Sequence, residues 1–124
     1  MKTIATQNAP AAIGPYAQAV EVGPFVYTSG QIPLRPDGTL VEGGIQEQIK
    51  QVLANLDAVL KEAGVARNQV CKSTIFMTNL ADFALVNEAY GAFFGDHKPA
   101  RSTVQVAGLP KNVQVEIELV AYKG

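Results

Sequence analysis

The chain has one cysteine, Cys71, one histidine, His97, and no tryptophan. A single thiol cannot close an intrachain disulfide, so packing alone must hold the core. One histidine and one cysteine are too few nitrogen and sulfur ligands for zinc, and no metal site is expected. Charged residues make up only 17% of the chain, and 10 Lys+Arg against 11 Asp+Glu form no basic block. Nucleic-acid affinity rests largely on neutralised phosphates, so no nucleic-acid partner is expected. No uncharged apolar run approaches the roughly 18 residues of a membrane span. Gln7, Asn8 and Pro10 break any hydrophobic signal region near the N-terminus. These absences point to a cytoplasmic protein with a reduced thiol. No Walker A loop and no Gly-x-Gly-x-x-Gly fingerprint occurs, and no cofactor is expected.

What is present is apolar and short. The 124 residues are 48% hydrophobic, which fits one domain over residues 1–124. Surface scaling gives about 6,400 Å² of folded surface, against about 19,000 Å² for the unfolded chain. A chain so poor in charge is suited to burying part of its surface against copies of itself.

Met1–Tyr16 reads as an extended strap with a short strand at Lys2–Ala5. Ala17–Val22 and Phe25–Ile32 form β-rich runs around Gly23-Pro24, a hairpin pattern. Pro33–Gly44, with Pro36-Asp37-Gly38 and Gly43-Gly44, is a loop. Over Ile45–Ala63, residues Ile45, Ile49, Val52, Leu53, Leu56, Leu60 and Ala63 recur at the helical period. Asp57 and Lys61 form an i,i+4 pair on its other side, and Gly64 suits the position after its end. Nothing on this helix looks chemical; it reads as scaffold. Val70–Thr78 is a strand. A second helix runs from near Leu80 or Ala81 to Phe94, with Phe83, Val86, Tyr90, Phe93 and Phe94 as its stripe. Arg101–Ala107 and Val113–Tyr122 close the chain as strands. In the last, Val113, Val115, Ile117, Leu119 and Ala121 alternate with Gln114, Glu116, Glu118, Val120 and Tyr122.

The order β-β-β-α-β-α-β-β predicts an α+β fold, with two helices covering one face of a mixed sheet. The other face would carry Thr103, Gln105, Glu116 and Glu118 among apolar residues. Such a face can be wet, or it can be an oligomer surface.

Chemistry has few places to reside. His97, beside Asp96, Lys98 and Pro99, reads as a solvated loop residue. Arg101 stands at the entry to a strand, either as a surface charge or as a planar fork for a carboxylate or phosphate. Glu116 and Glu118 share a strand face, as solvated rim charges or, in a cleft, as a base for water. Asn87 lies on the edge of the second helix's apolar stripe, as a surface amide or a ligand contact. Cys71 is expected in the core.

Longer motifs go further. Asn8-Ala9-Pro10-Ala11-Ala12-Ile13-Gly14-Pro15-Tyr16 and Thr28-Ser29-Gly30-Gln31-Ile32-Pro33 resemble two signatures of the RidA/YjgF family of imine and enamine deaminases. Phe83–Asn87 with Tyr90 and Phe93-Phe94 resembles its second helix. Pro99-Ala100-Arg101-Ser102, Leu109-Pro110-Lys111 and Val115-Glu116-Ile117-Glu118 resemble its C-terminal signature. The matches keep their order and cover nearly the whole chain.

The resemblance implies a chorismate-mutase-like fold and a homotrimer with a cleft at each subunit interface. It implies hydrolysis of 2-iminobutanoate and 2-iminopropanoate, or their enamine tautomers, to 2-oxo acids and ammonia, which removes reactive intermediates. Arg101 matches the residue that binds the substrate carboxylate, and Glu116 the one that orients water. Tyr16, Ser29, Gly30 and Asn87 match other cleft residues, and Ser102 and Thr103 follow the arginine where the backbone meets substrate. Many relatives carry cysteine where this chain has Thr103, and arginine where it has Gly108. A non-catalytic, small-acid-binding regulatory or chaperone-like trimer is the alternative; it would keep Arg101 without needing Glu116 to position water. RNA cleavage, also linked to relatives, fits the charge balance poorly.

Overall fold

A computed structural model describes residues 1–124. The elements in chain order are β1 (Lys2–Ile4), β2 (Ala19–Val22), β3 (Phe25–Thr28), α1 (Ile45–Ala63), β4 (Val70–Met77), α2 (Phe83–Phe94), β5 (Ala100–Gln105) and β6 (Val115–Tyr122). The expected α+β class and element order are those observed. The accessible surface, 6615 Å², lies close to that expected for the mass.

The strands form one sheet in the order β1-β2-β3-β6-β4-β5. Every neighbouring pair is antiparallel except β4 and β5, which run parallel and are joined through α2. β6 is therefore central. Its alternation is complete: Val115, Ile117, Leu119 and Ala121 are at most 2% exposed, whereas Glu116 and Glu118 on the opposite face are half-buried. The helices cover the first face, packing Ile49, Val52, Leu56 and Leu60 of α1, and Val86 and Phe94 of α2, into one core with it.

α1 has the bounds its periodicity predicts. Glu47 Oε2 accepts from the Gly44 N–H at 3.1 Å, filling an otherwise open donor at the helix start. At the other end Gly64 adopts φ +77°. Its N–H and that of Val65 then reach the Lys61 and Leu60 carbonyls, each at 3.0 Å. Asp57 pairs with Lys61 and with Arg67, each at 3.0 Å. The Arg67 guanidinium also lies 3.9 Å from the Phe93 ring centroid, tying the two helices together.

Several local expectations are corrected. β3 stops at Thr28, because the Thr28 hydroxyl takes the Leu119 N–H at 2.9 Å in place of the next ladder bond. α2 starts at Phe83, after a short 3₁₀ turn over Leu80–Asp82 whose preceding residue, Asn79, accepts from the Ala81 N–H. Cys71 is exposed rather than in the core: the β4–β6 register slips between Val70 and Lys72, and this bulge throws Cys71 outward. His97 is half-buried, its Nε2–H donating to the Val70 carbonyl at 2.6 Å. Thr103 and Gln105 do not join the open face. The parallel register sets them beside Ile75 and Met77, on the helix side.

Candidate active site

The open face of the sheet bears a cavity of about 890 Å³. One wall is the N-terminal strap with Pro10, Ile13 and Tyr16, and the floor is Ser29, Gly30 and Glu116. Two buried glutamines shape it, one through its side chain and one through its backbone. Gln18, 4% exposed, accepts from the Thr6 N–H at 2.7 Å and donates to the Pro10 carbonyl at 2.7 Å, pinning the strap. Gln31 exchanges backbone bonds with Ile117 at 2.9 and 3.2 Å, which ties the segment after β3 to β6. Ser29 donates its hydroxyl proton to the Ala17 carbonyl.

That bridge sets Gly30 directly against Glu116. A Cβ at Gly30 would overlap the carboxylate and lie 2.8 Å from its Cδ. Glycine here makes room for an acid rather than for a turn. The Glu116 carboxylate has no hydrogen-bond or ion-pair partner within the chain, and Glu118 lines the same cavity. Burial, and after it the like charge of Glu118, raises the Glu116 pKa above the ordinary glutamate range. The carboxylate is thus a better proton acceptor than a solvated one. Lys111 stands at the rim in a left-handed conformation, φ +58°, in the turn that feeds β6.

Arg101 lies elsewhere. It is opposite Ser73 on β4, while Glu116 is opposite Phe76. Ser73 and Phe76 are three residues apart on an alternating strand, so Arg101 and Glu116 belong to opposite faces. On the helix side Arg101 Nη1 donates to Asn87 Oδ1 at 2.7 Å. Its guanidinium carbon sits 4.9 Å from the Tyr90 ring centroid and 5.3 Å from that of Phe83. The Tyr90 hydroxyl, in turn, bonds the buried Ser73 hydroxyl at 2.6 Å. A smaller cavity of about 410 Å³ opens beside Arg101, lined by Asn87, Tyr90, His97 and Lys98. The arginine is exposed, aimed by an amide and backed by two rings, with donors left over for an anion.

The residues singled out from the sequence therefore fall into two groups in one chain. Tyr16, Ser29, Gly30 and Glu116 surround the larger cavity. Asn87, Arg101 and Thr103 lie on the helix side, whereas Ser102, opposite Thr74, faces the other way and accepts from Lys72 Nζ at 3.1 Å. Thr103 Oγ1 is buried without a partner.

The sequence profile described as Endoribonuclease L-PSP matches residues 6–123. A Salmonella typhimurium protein named 2-iminobutanoate/2-iminopropanoate deaminase is 50% identical over 125 residues, covering 98% of each chain. A Lactococcus lactis protein described as a candidate regulator, AldR, is 52% identical over 122 residues, covering 98% of this chain and 97% of its own. The crystal structure of Escherichia coli TdcF with bound serine superimposes with a TM-score of 0.95 at 46% identity, covering all of both chains. The chain belongs to this family. It is the RidA/YjgF family that the motifs resemble.

Within the family frame, the two departures fall at different kinds of place. Gly108 is exposed, and a Cβ there would meet nothing within 4 Å. The backbone there leaves room for the first carbon of a side chain. Thr103 is the enclosed one, next but one to Arg101 on β5. Sequence reading missed the supporting polar residues Gln18, Gln48, Asn55 and Ser73, all buried. A polar residue inside an otherwise apolar stripe, as Asn55 is between Val52 and Leu56, was the available signal.

The Gly30–Glu116 contact makes a direct prediction. If Glu116 acts in the reaction, Gly30→Ala should keep its circular dichroism spectrum but lower kcat for imine hydrolysis by about tenfold or more, since the added Cβ would push the carboxylate aside by about an ångström or more. Turnover within a factor of about two of the parent would mean that the close approach is not needed.

Proposed function

We propose that this chain hydrolyses 2-imino acids such as 2-iminobutanoate and 2-iminopropanoate, or their enamine tautomers, to 2-oxo acids and ammonia. One observation carries the reading: the Glu116 carboxylate is half-buried against Gly30 and unpaired, with raised proton affinity, on the floor of a cavity. Such a group suits taking a proton from water and returning it. Arg101 holds the substrate carboxylate. Glu116 removes a proton as the water oxygen bonds to the imine carbon, and the C=N electron pair moves to nitrogen. That proton passes to nitrogen to give an amino alcohol. Glu116 then takes its hydroxyl proton as the C=O forms and delivers that proton to nitrogen as the C–N bond breaks, so that nitrogen leaves as ammonia with the bond's electron pair. Tyr16, Ser29 and Gly30 enclose the substrate on the Glu116 side, and Asn87 and Thr103 on the Arg101 side, with Ser102 meeting it through the backbone that follows Arg101.

Since Arg101 and Glu116 belong to opposite faces of one sheet, the reading requires a second copy to complete each site. The open face, with Tyr27, Val104 and Tyr122 each at least 40% exposed, supports self-association. A homotrimer with a cleft at each subunit interface is the assembly proposed, built from one functional unit per chain. Light scattering at micromolar concentration should give three times the chain mass, and a monomer would overturn the interfacial site. No helix is long and apolar enough to cross a membrane, and a cytoplasmic role in clearing reactive imines fits the reading.

The test generates 2-iminobutanoate from threonine with a dehydratase and follows 2-oxobutanoate. Release should quicken in proportion to added protein. Binding of 2-oxobutanoate without any quickening would favour the regulatory alternative, which the name of the Lactococcus relative suggests. The family's endoribonuclease description has little support in the net charge of −1.

A further inference from the structure

We propose that Asn55 of α1 is a positioning residue for Glu116, acting through the Gln31–Leu34 segment that carries Gly30 against the carboxylate. This inference rests on the proposed role of Glu116 as the base.

Asn55 is fully buried, on the stripe between Val52 and Leu56, where an aliphatic residue would pack without polar cost. Asparagine is also a poorer helix former than leucine. Its amide is fully engaged. Nδ2 donates to the Leu34 carbonyl at 2.9 Å and to the Ile32 carbonyl at 3.3 Å, and Oδ1 accepts from Gln51 Nε2 at 2.9 Å. The Ile32 carbonyl also accepts from the Leu34 N–H at 2.7 Å, whereas the Leu34 carbonyl has Asn55 as its one partner. One residue earlier, Gln31 is clamped to Ile117 on β6. The segment leaving Gly30 is thus held by β6 through backbone, by the following loop through the Val41 N–H on the Pro33 carbonyl at 3.0 Å, and by α1 through one side chain. Gly30 is the residue whose added Cβ would displace Glu116. The space and hydration of that carboxylate follow from where the segment lies, and Asn55 sets its far end.

The titratable groups around the same cavity are Glu118 on β6, Lys111 before β6, Tyr16 in the strap and Asp37 in the loop after β3. None hydrogen-bonds to Asn55, and Asn55→Leu changes no charge. A change in Glu116's titration in that variant therefore reports a change in its burial, not in its charged neighbours.

The experiment compares the parent, Asn55→Leu, Asn55→Ala and Glu116→Gln in the coupled imine assay over pH, with circular dichroism and light scattering on each. In folded Asn55→Leu, kcat should fall about tenfold while KM moves by less than about threefold, since Arg101 is untouched. Its acid limb should move to lower pH as water reaches Glu116. Asn55→Ala should do the same. A kcat within about twofold of the parent and an unmoved acid limb, in either variant that folds, overturns the inference. Loss of fold in both variants overturns it too, because stability alone then accounts for Asn55. Parental turnover by Glu116→Gln would instead remove the reading of Glu116 itself. An inactive Glu116→Gln beside a parental Asn55→Leu would remove only the positioning role.

Discussion

Glu116→Gln should lose about 10²–10⁴-fold in kcat for 2-iminobutanoate hydrolysis, the range of general acid–base contributions. Glutamine preserves the shape pressed against Gly30, so positioning is nearly unchanged and the loss falls on proton transfer. Binding of 2-oxobutanoate through Arg101 should survive. In the parent, the raised pKa of Glu116, caused first by burial and then by Glu118, should place the acid limb of the rate profile above the ordinary glutamate range if Glu116 is the base. Glu118→Gln removes the like charge. It should shift that limb downward while leaving the plateau rate within a few-fold. Equal losses in the two glutamine variants would contradict the division of roles.

The same substitution should stabilise the fold. A carboxyl whose pKa is higher folded than unfolded binds more protons in the native state within the window between the two values. Parent stability therefore falls as pH rises through that window, and the full penalty persists above it. Glu116→Gln escapes the penalty, so its melting temperature should exceed the parent's at pH 7. The advantage should fade as pH falls below the ordinary glutamate range. An activity loss coupled to a stability gain is the expected mark of a strained functional acid. A melting temperature below the parent's at pH 7 would mean that the carboxylate is compensated by groups from a neighbouring copy.

The sequence is most legible where one physical rule dominates. Ile45–Ala63 obeys a single period and ends at a glycine, and the helix occupies those residues. β6 alternates because it is central and covered on one side by both helices. The edges are harder. On β5, parallel pairing decides which face Thr103 and Gln105 join, and an exposed strand of mixed residues carries no pattern that fixes its register. Cys71 followed a bulge, which shifts one residue out of an otherwise regular alternation. The roles of the site residues came from motif resemblance, but their separation into two groups did not, because facing depends on pairing partners distant in sequence. Asn55 and Gln48 read as scaffold for the same reason. Asn55 meets Leu34 across 21 residues, and Gln48 accepts from the Gln114 N–H across 66. A buried amide announces that it needs partners, but the identity of those partners is a tertiary fact.

Arg101→Ala should lower kcat/KM by about 10²–10³, through loss of two charge-assisted bonds to the substrate carboxylate. Arg101→Lys should recover only part, because an ammonium keeps the charge but not the fork that Asn87 aims and the Tyr90 and Phe83 rings back. An alanine variant within about threefold of the parent would be worth less than about 1 kcal/mol and would refute the clamp. The separation of Arg101 from Glu116 across the sheet allows a sharper test. Arg101→Ala chains retain Glu116, and Glu116→Gln chains retain Arg101. If each site takes its arginine from one copy and its glutamate from another, denaturing and reassembling the two inactive variants together restores intact sites. With equal amounts and random assembly, about one quarter of the sites would hold both residues, and activity should return to about that share of the parent's. A site contained in one chain cannot be restored by mixing, so co-assembled protein no more active than either variant alone would end the interfacial reading.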